Sequence, residues 1–222
     1  MFRMISIVCF VVVFVAIVLH WFCRQPRFND MFGKDRKLKI LDIIRLFMYF
    51  ILMLLPQRKH NAFGILKKLV IILACICFAV LFITGFTPVI VLNIQITGFW
   101  MIIHATAAPI FAFCLMALAV MAADENKFDK NYMPQLTKML NLGSVTKEHA
   151  EKFELTSKFL FWGIITLAVP LIASIVLGML PLFGTDTQKL LLTIHKYTAL
   201  IISTVIILYG YVSIRIRISE NS

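Results

Sequence analysis

Residues 100–113 read WMIIHATAAPIFAF, and residues 190–203 read LLLTIHKYTALIIS. Each stretch places one histidine, His104 in the first and His195 in the second, inside a long apolar run. An ionisable side chain in hydrocarbon is costly, so where one is kept it has a partner and usually a function. Two of them at one depth on separate spans point to a single shared ligand.

The rest of the chain supplies the apolar setting. Of 222 residues 61% are hydrophobic and 15% charged, far too apolar for a soluble domain. The apolar runs reach about 20 residues or more, enough to cross a bilayer as helix. The composition predicts an all-α integral membrane protein with about five transmembrane helices, and an interfacial helix besides. The formal net charge is +11, which alone would suit nucleic acid. No nucleic-acid partner is expected, because the basic residues gather in loops on one side. The five cysteines, Cys9, Cys23, Cys75, Cys77 and Cys114, are odd in number and give no disulfide framework. Cys75 and Cys77 are two apart on a helix and face away from each other. No C-x-x-C-H occurs, so a covalently attached haem is not expected, and the cysteines read as small buried hydrophobes.

In chain order, residues 1–23 form an N-terminal transmembrane span, too long and too uniformly apolar for a cleaved signal peptide. His20 and Trp21 close it at the inner surface. Residues 24–68 form a basic cytoplasmic loop, within which Leu46–Leu55 is apolar between Arg45 and Pro56. That segment is too short to cross and reads as an interfacial helix on the anionic inner face. Residues 69–222 form a four-helix bundle, with spans at Leu69–Thr87, Phe99–Ala122, Lys158–Leu180 and Leu190–Ser213. Val89–Gly98 and Pro181–Lys189 are the outer connections, and Ala123–Ser157 is a mixed-charge inner loop. All of the 22 Lys and Arg fall on the inner side except Arg3, Lys189 and Lys196. The positive-inside rule therefore puts the N-terminus outside and the C-terminus in the cytoplasm.

In that arrangement the His104 and His195 spans both run inward. Each histidine lies about 5 residues below the start of its span, roughly 8 Å from the outer face. Haem iron takes two axial imidazoles, and a neutral imidazole donates one ring nitrogen. Small residues continue each histidine's face inward, Ala107, Ala108 and Ala112 on one span and Thr198, Ala199 and Ser203 on the other. They leave room for a macrocycle, and they equally serve direct helix packing. Lys196 at the outer rim suits a haem propionate or a snorkelling role. A zinc or copper site needs further ligands at this depth. Taken singly, each histidine also reads as a structural, hydrogen-bonded residue.

These residues sit in a wider pattern. Thr84-Gly85 ends one span, Ile102-Ile103-His104 opens the next, and Lys152-Phe153 through Lys158-Phe159-Leu160-Phe161-Trp162 leads into a third. Leu190–Thr198, with His195, opens the last. From Gly64 to Ser213 the chain resembles the membrane cytochrome b subunits of formate dehydrogenases and nickel–iron hydrogenases. The short basic-flanked helix before it is faintly similar to the nitrate-reductase-type cytochromes. The resemblance implies a four-helix cytochrome b bundle that binds haem b and exchanges electrons with a quinone. It implies that His104 and His195 are the ligands of the outer haem. The family's inner haem needs a histidine near the start of its first span and another 14 residues after the second outer ligand. Here those places hold Lys67-Lys68-Leu69-Val70-Ile71 and Tyr209, so the resemblance implies one bis-histidine haem rather than two. Tyr209 is then a candidate quinone contact, with an interfacial anchor as its alternative. His20, His60 and His149, on the inner side, are candidates for a second haem or solvated residues.

The resulting expectation is a non-catalytic electron-transfer subunit of a quinone-linked oxidoreductase complex in the bacterial plasma membrane. It would pass electrons between a quinone pool and a partner redox subunit, a cytochrome c or iron–sulfur protein, at the outer face. The contrasting expectation is a haem-free membrane anchor or small transporter subunit, with both histidines in interhelical hydrogen bonds.

Overall fold

The structure is a computed structural model that describes residues 1–23, 62–128, 148–181 and 183–220. The Leu46–Leu55 segment and His60 lie outside the described residues, as does the side chain of His149. Among the described residues every regular element is helical: α1 Phe2–Cys23, α2 Ala62–Thr87, α3 Gly98–Met121, α4 Glu148–Met179 and α5 Thr185–Glu220, with a π-helical turn, Pro88–Leu92, after α2. All five long helices are long and apolar enough to cross a membrane. This is an all-α, multi-pass membrane protein. In hydrocarbon the backbone must satisfy its own polar groups, and long helices do so without outside partners. Large apolar side chains such as Phe14, Phe113, Val120 and Val169 point outward, where lipid rather than water receives them.

Two helices begin earlier than the hydropathy pattern predicts. Helix α2 starts at Ala62, inside the basic loop, and α4 at Glu148, inside the segment expected to be an inner loop. In α4 a polar first turn carries the helix ahead of its apolar stretch, which begins at Leu155, whereas α2 opens on the apolar Ala62-Phe63-Gly64-Ile65 and takes in Lys67 and Lys68. Helix α5 likewise starts at Thr185 rather than Leu190, with Asp186 in its first turn, where a negative charge suits the helix dipole.

Helices α2 and α3 form one close antiparallel hairpin, and α4 and α5 form another. The connection of the first is compact. Asn93 adopts the left-handed conformation at φ 54°, and the N–H groups of Asn93 and Ile94 both donate to the Pro88 carbonyl. Gly98 then starts α3 at φ 58°, a backbone region that glycine enters without strain. The hairpins meet in a core of Ala74, Cys77, Phe111, Cys114, Leu115, Ile164, Ala168 and Ile202, drawn from all four helices. Cys77 is buried there while Cys75 faces outward, as their spacing requires.

Helix α1 runs parallel to α5 and sits against both hairpins. Phe2 meets Tyr197 edge-on at 5.4 Å between ring centres, Cys9 Sγ lies 3.5 Å from Thr204 Oγ1, and His20 hydrogen-bonds the Tyr211 hydroxyl. On the other side Phe10 lies edge-on to Phe82 and Phe86 at 5.3 and 5.1 Å. These pairings put Phe2, the π-helical turn and the start of α5 at one end of the molecule, the turn end. At the opposite end Lys67 pairs with Glu125, and the Trp162 indole N–H donates to the Asn126 carbonyl at 3.0 Å.

Neighbouring residues on α5 give a test of this core. Ile202 is 3% exposed between the hairpins, whereas Ile201 is 50% exposed towards lipid. Lipid is as apolar as the core, so the cost of truncation comes chiefly from the cavity it leaves. Ile202→Ala is expected to lower unfolding stability in detergent or bicelles by about 2 kcal/mol, and Ile201→Ala by less than about 0.5 kcal/mol. Equal losses would show that Ile202 does not lie at a packed contact.

Candidate functional site

Both histidines sit near the turn end, His104 about two turns inside α3 and His195 about three inside α5. Each is half-buried, and each is tied to the other helix of its own hairpin. His104 Nδ1 lies 2.9 Å from Thr84 Oγ1 on α2. His195 Nδ1 lies 3.1 Å from the Leu171 carbonyl on α4.

The partners decide where the protons are. The Leu171 carbonyl only accepts, so His195 Nδ1 carries the hydrogen. Thr84 has one hydroxyl proton and gives it to the Val80 carbonyl at 2.7 Å. It therefore accepts from His104, whose Nδ1 also carries the hydrogen. In a neutral imidazole the second nitrogen is then a bare acceptor. Both rings thus present Nε2 with its lone pair available. A histidine that ligates a metal commonly holds its other ring N–H in this way, on a carbonyl or another fixed acceptor.

Helices α3 and α5, which carry the histidines, are not closely packed on one another across the seam between the hairpins; the tight contacts lie within each hairpin, with fewer between α3 and α4. The small residues expected beside the histidines are half-buried at Ala107, Ala108, Ala112 and Ala199 and buried at Thr198 and Ser203. Neither the Thr198 nor the Ser203 hydroxyl finds a hydrogen-bond partner among the described residues, at 9% and 4% exposure.

A neutral imidazole with Nδ1 engaged has the kind of nitrogen donor that a haem iron takes as a ligand. Among the described residues no group of three or more His, Cys, Asp or Glu side chains converges.

The other candidates lie apart. Lys196 is exposed on α5 beside His195. Tyr209 is at the opposite end, half-buried, with its hydroxyl hydrogen-bonded to Ser157 and Ser213. His20 is held by Tyr211, also at that end. Sequence reasoning missed the Leu171 carbonyl, because a backbone acceptor has no side-chain signature. Thr84 was within reach of it, since a hydroxyl near the outer end of one span matches His104 in depth on the next.

No protein-family model, curated protein or solved structure matches this chain. The described residues define a multi-pass helical membrane protein with two half-buried histidines, each hydrogen-bonded within its own hairpin.

Gly85 offers a direct check on how His104 is held. A Cβ at Gly85 would lie 3.2 Å from His104 Cε1, tighter than ordinary contact, whereas one at Gly178 would lie 3.7 Å from Leu191 Cβ. Gly85→Ala is expected to displace the ring from Thr84 and cost about 1–2 kcal/mol, and Gly178→Ala less than about 0.5 kcal/mol. Nitrogen NMR of the imidazoles should show His104 losing its single tautomer in Gly85→Ala. An unchanged tautomer and stability would mean that the ring does not rest on Gly85.

Proposed function

We propose that the chain is a membrane haem b electron-transfer subunit with one haem held between His104 and His195. The observation that carries this reading is that each ring is held through Nδ1 within its own hairpin, with Nε2 meeting no partner among the described residues. A bound haem b would supply one-electron Fe(III)/Fe(II) chemistry. The chain's own part is to hold and insulate. Thr84 and the Leu171 carbonyl fix the two tautomers and make the imidazoles more basic ligands. Ala107, Ala108, Ala112 and Ala199 keep bulk away from the seam. The core around Phe111, Leu115 and Ile202 keeps water out below it, and a dry setting tunes the potential of any redox group above.

The reading extends to place and partners. On this reading the protein would lie in a bacterial plasma membrane, with the turn end outside and the C-terminus in the cytoplasm as the Lys and Arg bias favours. A cytochrome c or iron–sulfur subunit of a respiratory complex would approach the turn end, where Lys196 is exposed. Tyr209 would serve a quinone only by exchanging one of its serine partners, at the end away from the histidines. The motif resemblance read from the sequence, to the cytochrome b subunits of formate dehydrogenases and nickel–iron hydrogenases, would make a quinone-linked oxidoreductase complex the setting.

One observation favours a second reading. His104–Thr84 and His195–Leu171 each bind the two helices of a hairpin together, which is what a haem-free anchor or small transporter subunit would ask of buried histidines. A reduced-minus-oxidised visible spectrum separates the two. The haem reading expects a b-type signal at one haem per chain, lost in both His104→Ala and His195→Ala. Colourless, folded wild-type protein from haem-replete cells rejects it in favour of the anchor.

A further inference from the structure

Arg3, Lys189 and Lys196 stand at the turn end, with Asp186 the one acid there among the described residues. Lys189 takes that acid, its Nζ 3.2 Å from Asp186 Oδ1. Arg3 is half-buried near the start of α1 and donates from Nε to the Ile90 carbonyl at 3.1 Å. The other N–H groups of its guanidinium meet no acceptor among the described residues. Lys196 is exposed, with neither a carboxylate nor a hydrogen-bond partner there. Two cations are left without a counter-charge at the edge of hydrocarbon, where a bare charge is costly.

The packing of α1 on α5 brings these two together. Phe2 meets Tyr197 and Cys9 meets Thr204, so both contacts keep one offset and the parallel helices run in register. That register sets Arg3 about 3 Å deeper than Lys196. Successive residues on a helix turn by about 100°. Between parallel helices, the residue after a contact on one and the residue before it on the other therefore fall on the same flank. Arg3 follows Phe2, and Lys196 precedes Tyr197. Their shared flank is the one towards α2: Arg3 reaches Ile90 in the π-helical turn, and Phe10, two turns below Arg3, meets Phe82 and Phe86. Ser203, two turns below Lys196 on α5, is buried, so the flank is closed beneath the cations and open at Lys196. Helix axes in contact lie about 8–10 Å apart, a gap that an arginine and a lysine can close on one anion. Helix α1 has 22 residues, about 33 Å, against a hydrocarbon layer about 30 Å thick. Its first turn therefore lies at the boundary, where lipid phosphates stand.

We infer that Arg3 and Lys196 form a phosphate-binding site at the turn end, filled by the headgroup of an anionic phospholipid in the leaflet on that side. The Ile90 carbonyl holds Nε, which leaves the two terminal nitrogens of the guanidinium to donate side by side to phosphate oxygens. Lys196 adds a point charge from the neighbouring helix. The site uses neither histidine and is the same with or without a haem.

The test titrates the purified full chain in detergent with phosphatidylglycerol and counts bound lipid by native mass spectrometry. One tight site is expected in the wild type, and its absence overturns the inference. Arg3→Gln should weaken the site about tenfold and Lys196→Gln about fivefold. Lys189→Gln, whose charge is already paired, should leave it unchanged. Arg3→Lys should recover only part of the affinity, since lysine lacks the planar fork. Diacylglycerol, which has no phosphate, should not fill the site. Inorganic phosphate separates the two sources of the anion. Failure to displace phosphatidylglycerol supports the lipid headgroup, whereas displacement that requires Arg3 and Lys196 overturns the lipid occupant and assigns the site to free phosphate. Wild-type affinity in Arg3→Gln, or an equal loss in Lys189→Gln, overturns the site itself. Should Arg3→Gln fail to insert, Lys196→Gln decides alone, since Lys196 is exposed, and an unchanged affinity there overturns the site.

Discussion

An imidazole N–H in hydrocarbon has no water to turn to, and this requirement organises the upper half of the bundle. A buried donor without an acceptor costs about 1–3 kcal/mol. Each histidine meets the need inside its own hairpin, His104 with Thr84 and His195 with the Leu171 carbonyl. Thr84 can accept because its own proton is committed to Val80. Four groups on four helices are thereby placed in one consistent arrangement, and both rings are left with the same nitrogen uncommitted. The contact between His104 and Gly85 adds a steric limit to the electrostatic one, since any side chain on Gly85 would crowd the ring.

The hairpins then behave as units joined by a partial seam. Below, the seam is closed by Cys77, Phe111, Cys114, Ile164 and Ile202. Above, the helices that bear the histidines do not pack closely, and the residues facing inward from them are small. Helix α1 spans this region from outside the four-helix unit, with Phe10 against Phe82 and Phe86 on one side and Phe2 against Tyr197 on the other. A segment that hydropathy presents as one more span is thus also a brace between hairpins at the level of the imidazoles.

The number of long helices and their order were legible from the sequence, because hydropathy over about 20 residues is a strong signal. Helix ends were less so. Polar first turns at Glu148 and Thr185 carry helix beyond the apolar stretch, where a hydropathy window does not register them, and the helix from Ala62 takes in Lys67 and Lys68. His104 and His195 stood out as ionisable residues within apolar runs, and each is hydrogen-bonded within its own hairpin. Their partners were partly hidden, since the Leu171 carbonyl belongs to the backbone and Thr84 looks like any span-terminal threonine. The contacts of the first turn of α1 were hidden altogether, since Arg3 meets Ile90 and Phe2 meets Tyr197, residues far away in the chain.

The two ends of the bundle differ in a way that bears on how it would work. The turn end holds the histidines and few charges. At the opposite end, the places where a second haem's ligands would fall hold the Lys67 region and Tyr209. Lys67 is paired with Glu125, and Tyr209 is bound to Ser157 and Ser213. Those contacts already satisfy the polar groups there and join α2 to the end of α3, and α4 to α5. A single redox group near one face of a hydrocarbon layer about 30 Å thick has no relay towards the other. On the proposed reading, electrons would enter and leave in the outer half of the membrane. The opposite end would then contribute by holding the hairpins in register.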